Sequence, residues 1–144
     1  MHNADLARDY LRRARVRLDA LDVLFAGESW ADVVRESQEV VELTLKGLLR
    51  SCGIDPPRVH DVSDVLRAEA ARLPPPLREE LDGLAEASRQ LRRDQELAFY
   101  GAEDLTPSGF YAREDAERAR KSARGIVELV DPHVPDPRSS PSEE

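Results

Sequence analysis

Apolar positions recur every three or four residues along most of this chain, the period of helices that bury one face. The first run is Ala7, Tyr10, Leu11, Ala14, Leu18, Leu21 and Phe25, with Asn3 placed to cap the helix and Gly27 to stop it. The second begins at Ser29, a capping residue, and lines its inner face with Trp30, Val34, Val41, Leu45 and Leu48; Ser37 and Thr44 interrupt it as small polar groups. Gly53 ends this helix, and Pro56-Pro57 bars its continuation. A short third helix follows Asp61, with Val62, Val65 and Leu66 as a narrow apolar edge. Pro74-Pro75-Pro76 forces an extended turn. The next stripe is Leu77, Leu81, Leu84, Ser88, Leu91, Gln95 and Ala98, which predicts a helix from Leu77 to Phe99. A loop over 101–109 contains Pro107. The last helix is predicted from Ala112 to Val130, with Ala112, Ala116, Ala119, Ala123, Ile126 and Val130 facing inward.

No stretch of strand length alternates with a period of two. The pattern therefore predicts an all-α fold, an up-and-down bundle of four long helices plus one short helix. Residues 1–131 are assigned to a single bundle domain. Residues 132–144 are rich in Pro and Ser and too polar to offset the entropy of ordering, so they are predicted to be a disordered tail.

Composition narrows the function classes. The net charge is -8, which argues against a general nucleic-acid binder. Arg8, Arg12 and Arg15 share one side of the first helix, but Asp5, Asp9 and Asp19 lie close by, and the set reads as a solvated face. The single cysteine, Cys52, excludes an internal disulfide. No apolar run approaches the roughly 18 residues of a membrane helix, and charges occupy the first turns, so a cytoplasmic protein with no membrane partner is expected. There is no Gly-rich phosphate loop, no Cys/His set of zinc spacing and no nucleophile elbow; neither a metal nor a cofactor is expected.

Two places carry polar groups that could do chemistry. On the second helix Gln38, Glu42 and Lys46 succeed one another at i,i+4, and Glu42 before Lys46 is the favourable order for a helical ion pair, worth about 0.3–0.5 kcal/mol. This stripe either faces solvent or faces the fourth helix or a second subunit. Near the end of the fourth helix lies Arg92-Arg93-Asp94-Gln95-Glu96-Leu97-Ala98-Phe99-Tyr100-Gly101. Gln95 falls on the apolar stripe, where an amide needs partners. Arg93 and Tyr100 are seven residues apart and share a face, about 10 Å along the axis. Phe99, Tyr100 and Gly101 would equally serve to close the core and stop the helix. His60 and Asp61 read as a pair that orders a Pro-rich loop and caps the helix after it, since adjacency in sequence is weak evidence for general-base chemistry.

Taken together, these segments resemble the HEPN domain family (higher eukaryotes and prokaryotes nucleotide-binding). The resemblance spans roughly residues 4 to 130. It rests on 4–18 in the first helix, 37–49 in the second, Gly53-Ile54-Asp55-Pro56-Pro57, His60-Asp61-Val62, Leu97-Ala98-Phe99-Tyr100-Gly101, and 107–111 before Glu114-Asp115-Ala116. No one of these is specific; their order and spacing carry the likeness. The resemblance implies a helical bundle that forms a homodimer. It implies a minimal nucleotidyltransferase protein as partner, in a toxin–antitoxin-like two-component system, and a nucleotide or RNA as ligand.

Several groups of the family are metal-independent RNases with an Arg-x(4–6)-His motif late in the bundle. Here Gln95 and Tyr100 stand at those two places, and no histidine occurs between Arg89 and Val130. Glutamine lacks the cationic fork that grips phosphate, and tyrosine is a poor base at neutral pH. The first expectation is accordingly a binding module whose cleft is lined by Arg93, Gln95, Tyr100, Gln38, Glu42 and Lys46. The alternatives are an RNase toxin using Arg93 and Tyr100, and a structural helical dimer with no ligand.

Overall fold

A computed structural model describes residues 3–100 and 111–137; over 92–100 it describes the helical backbone and not the side chains. The elements are α1 (Asn3–Ala26), α2 (Trp30–Ser51), α3 (Ser63–Ala68), α4 (Pro75–Arg78), α5 (Leu81–Tyr100) and α6 (Arg113–Val130), with 3-10 turns at Ala70–Arg72 and Asp131–His133. The fold is all-α, and four of its helices are long.

α1 and α2 are antiparallel, because Ala7 and Leu11 meet Gly47, Arg17 meets Glu36, and Phe25 meets Trp30. α6 also runs opposite to α1, since Arg8 meets Asp131 while Asp22 meets Arg120 and Arg124. Ala7, Leu11, Ala14, Leu18 and Leu21 of α1 are buried, as the periodicity predicts. α6 contributes Ala116, Ala123, Ile126, Val127 and Val130.

The sequence pattern underestimates α2. Besides the expected Val34, Val41, Leu45 and Leu48, the helix buries Val33, Val40, Leu43 and Leu49. It packs against α1, α5 and α6 together, so residues off the main stripe are also covered. Gly47 permits the α1 contact: a Cβ there would fall 2.6 Å from Leu11 Cδ2 and 3.3 Å from the Ala7 carbonyl oxygen. Two carbons in contact sit about 3.5–4.0 Å apart, so any larger residue at this crossing would force Leu11 and the α1 backbone to shift.

Several local expectations are corrected. The helix predicted from Leu77 to Phe99 is two helices. α4 starts with Pro75 in its first turn, and α5 starts at Leu81. Among the described residues there are therefore two short helices where the pattern predicted one. Asn3 lies inside α1, and its side-chain oxygen accepts from Arg50 Nη1 at 3.4 Å. α1 ends before Gly27 as expected, but the left-handed residue of that turn is Glu28, with φ 58°. Ser29 occupies the N-cap position of α2 without a side-chain capping bond; its hydroxyl instead donates to the Asp32 carboxylate at 2.6 Å. Ala112, expected to face inward, is exposed at the N-cap of α6.

The chain also stays in the core beyond residue 131. Val134 is 2% exposed, and its N–H bonds the Asp131 carbonyl at 3.0 Å. The boundary of the compact part thus falls later than the predicted start of the tail at residue 132. Residues 138–144 lie outside the described residues.

The polar face of α1 is committed to the fold. Asp131 accepts from both Arg8 and Arg15, and Arg12 pairs with Asp9 at 2.7 Å. Burial alone would push the Asp131 carboxyl up. The two guanidiniums outweigh it and hold this group below the ordinary carboxylate range.

Candidate functional site

Between residues 40 and 49 of α2 every side chain is buried except Glu42 and Lys46. Glu42 and Lys46 thus form a half-buried polar stripe within an otherwise covered stretch of the helix. Gln38 lies one turn before Glu42 and is half-buried. Glu42 Oε2 accepts from Lys46 Nζ at 2.9 Å, and each of the two side chains is 17% exposed. This is not a fully solvated pair. Water screens it less than a surface i,i+4 bridge, so its partners matter more.

The second oxygen of Glu42 is also occupied. His60 Nδ1 lies 2.8 Å from Glu42 Oε1. An ionised carboxylate can only accept, so Nδ1 carries the proton in this contact; the His60 side chain is 52% exposed. One carboxylate thus gathers an ammonium and an imidazole from two different segments.

The loop that delivers His60 is held on α5. Ser88 is fully buried, and its hydroxyl accepts from the Val62 N–H at 2.7 Å. The same hydroxyl donates to Asp61 Oδ1 at 3.2 Å, and that oxygen also accepts the Ser63 N–H at 2.9 Å. Asp61 serves the start of α3 as predicted, but through a turn one residue outside the cap, which falls on Val62. A buried N–H without an acceptor would cost about 1–3 kcal/mol, which explains a serine on the apolar stripe of α5.

The expected site residues divide sharply. Glu42 and Lys46 are brought together, with Gln38 on the same stripe. The side chains of Arg93, Gln95 and Tyr100 lie outside the described residues, and only the helical backbone of α5 is described there. His60 was read as a loop-ordering residue. It does hold the loop by hydrogen bonding, and the carboxylate that it binds is the one predicted to line the cleft. Nothing in the sequence announces this pairing, which spans 18 residues and a Pro-rich turn.

Other chemistry is weakly supported. Burial pushes the Cys52 thiol up, against its hydrogen bond with Ser51 and the charge of Arg72, so it is not an activated nucleophile. Among the described residues no three His, Cys, Asp or Glu side chains converge to hold a metal, and no helix is long and apolar enough to cross a membrane.

Comparison with known proteins supplies one match. A family profile described as the HEPN domain covers residues 7–133 of the chain. No curated protein and no solved structure matches it.

Proposed function

The chain belongs to the HEPN domain family, and on that premise we propose that it is a dimeric binding module. Its ligand is a nucleotide or an RNA phosphate, and its partner is a minimal nucleotidyltransferase in a two-component, toxin–antitoxin-like system. The observation that carries the ligand reading is the cluster on Glu42. Lys46 of α2 and His60, on a loop tied to α5 through Ser88, are gathered on the two oxygens of this carboxylate. Rigidly placed donors lower the ordering cost of capturing a ligand.

On this reading Lys46 and Arg93 meet phosphate, Tyr100 stacks or hydrogen-bonds, and Gln38 and Gln95 complete the polar lining. The glutamine and tyrosine at positions 95 and 100 favour binding over RNA cleavage, because neither replaces a guanidinium or an imidazole.

Three measurements test the proposal. Co-purification with a nucleotidyltransferase encoded beside this chain tests the partner. Sedimentation equilibrium tests the dimer. Calorimetric titration with nucleotides and short RNA, on the wild type and on Arg93→Ala, tests the ligand. No nucleotide or RNA binding, or binding that Arg93→Ala leaves unchanged, would sink the ligand reading. An arrest of growth on expression, abolished by Tyr100→Phe, would replace it with a toxin RNase.

A further inference from the structure

We propose that residues 55–61 form a strap that opens and closes over Lys46, with the His60–Glu42 contact as its latch and the Ser88 bonds as its hinge. The strap regulates access to the stripe described above and rests on the ligand reading only for its use. Whether it moves does not depend on what binds there.

Both ends of the segment are fixed. Gly53, with φ 76°, turns the chain back at the end of α2. Its N–H bonds the Arg50 carbonyl at 3.0 Å, and the Ile54 N–H bonds the Leu49 carbonyl at 2.9 Å, which closes the helix with a paired turn. Ile54 itself is buried. At the far end Val62 is buried as well, and Ser88 of α5 takes up its N–H and the Asp61 carboxylate.

The middle is held far more lightly. Asp55, Arg58, Val59 and His60 are exposed, and Val59 lies outside the core. Side chains tie this stretch to α2 at His60, 2.8 Å from Glu42, and at Asp55, 3.7 Å from Arg50 on a carboxylate that is 93% exposed. The Asp55 contact is open to water and worth little. One contact on a half-exposed imidazole therefore closes the strap. A single bond of that kind biases a two-state equilibrium by only about three- to ten-fold. A segment with firm ends and few buried contacts between them opens locally while the rest of the fold stays closed.

The path of the strap brackets Lys46. Its first anchor is on Leu49 and its latch is on Glu42, about two turns back along α2, and Lys46 lies between them. Opening breaks the His60 contact and swings the middle away between Gly53 and Val62. Lys46 keeps its countercharge on Glu42, 2.9 Å away, and becomes reachable from solvent. No core residue has to move.

Lys46 and Lys121 are the two lysines of the chain, and Lys121 is exposed on α6. The test is therefore the rate at which limiting acetic anhydride acylates each lysine of the full chain, read by peptide mass spectrometry. It is run on the wild type, His60→Ala and His60→Asn, with thermal midpoints recorded. Wild-type Lys46 should react more slowly than Lys121. His60→Ala should speed Lys46 by about three- to ten-fold and leave Lys121 unchanged. His60→Asn, which keeps a donor near the Nδ1 position, should restore most of the shielding. Glu42 is intact in both variants, so the change is one of access. A Lys46 rate that His60→Ala leaves unaltered overturns the strap. So does a rise shared equally by Lys121, or an asparagine variant as fast as the alanine one. A second arm needs no variant: wild-type labelling in urea below the unfolding transition. A Lys46 rate that stays flat there marks local opening, and one that climbs with global unfolding overturns the proposal. Failure of nucleotide or RNA binding sinks the ligand reading and leaves these rates untouched.

Discussion

Gly47 of α2 lies so close to Leu11 of α1 that a Cβ on Gly47 would come within 2.6 Å of the leucine Cδ2. Tyr10 Cβ at 3.1 Å and the Ala7 carbonyl oxygen at 3.3 Å, both also on α1, are fixed to the backbone and cannot swing aside as a leucine methyl can. In an open helix Gly→Ala gains about 1 kcal/mol from propensity. At this crossing the gain is outweighed by overpacking, which typically costs about 1–3 kcal/mol and more where backbone must shift. Gly47→Ala is expected to lower stability in urea unfolding. Gly125 of α6 has nothing within 4 Å of its missing Cβ, and Gly125→Ala is expected to raise it. The opposite signs of two Gly→Ala changes in helices are the check.

Glu42→Gln should cost more than an ordinary surface bridge. The amide offers one acceptor oxygen where two donors wait, and it removes the countercharge of Lys46. A loss of about 1–2 kcal/mol is expected from chemical denaturation. Lys46→Met in the Glu42→Gln background should cost less than Lys46→Met alone, because the ammonium no longer has its countercharge. A double-mutant cycle on this pair reads the coupling directly. Strict additivity would show that the two side chains do not depend on one another.

Ser88→Ala removes the acceptor of the buried Val62 N–H and one donor of Asp61. The expected loss is about 1–3 kcal/mol, seen as a fall in the thermal midpoint of several degrees. Amide exchange at Val62 should rise more than the global loss explains, because the loop is released locally. Ser88→Cys, which restores a weak acceptor, should fall between the two.

Asp131 is held below the ordinary carboxylate range by Arg8 and Arg15, against the opposing effect of burial. A carboxylate with a lowered folded-state pKa contributes stability that is fully present above its unfolded value, near 4, and is lost as pH falls through the folded value. Stability of the wild type should therefore decline below about pH 4, and part of that decline should vanish in Asp131→Asn. The variant should already be less stable at pH 7, and the two curves should converge in acid. Parallel curves across that range would show that Asp131 titrates alike in both states.

Much of the fold was legible because helical burial is written locally. A face such as Ala7, Leu11, Ala14, Leu18 and Leu21 recurs with the helical period whatever it packs against. Pro74 to Pro76 was legible as a break but not as the start of α4, because a proline that bars one helix also fits the first turn of the next. The central place of α2 was not legible. Val33, Val40, Leu43 and Leu49 sit off the main stripe and are buried only because several helices close around them.

The site divides along the same line. The order of Gln38, Glu42 and Lys46 along one helical face followed from the chain itself, because residues four apart on a helix are neighbours by geometry. Whether that face was solvent or seam depended on α1, α5 and α6 covering everything around it. The partner of Glu42 across the seam was decided by tertiary structure alone. His60 reaches it because Ser88, a residue of another helix, takes up the Val62 N–H and the Asp61 carboxylate and so fixes the path of the loop. A hydrogen bond within a helix is set by local spacing. One between a helix and a distant loop exists only after the packing of apolar faces has set their distance.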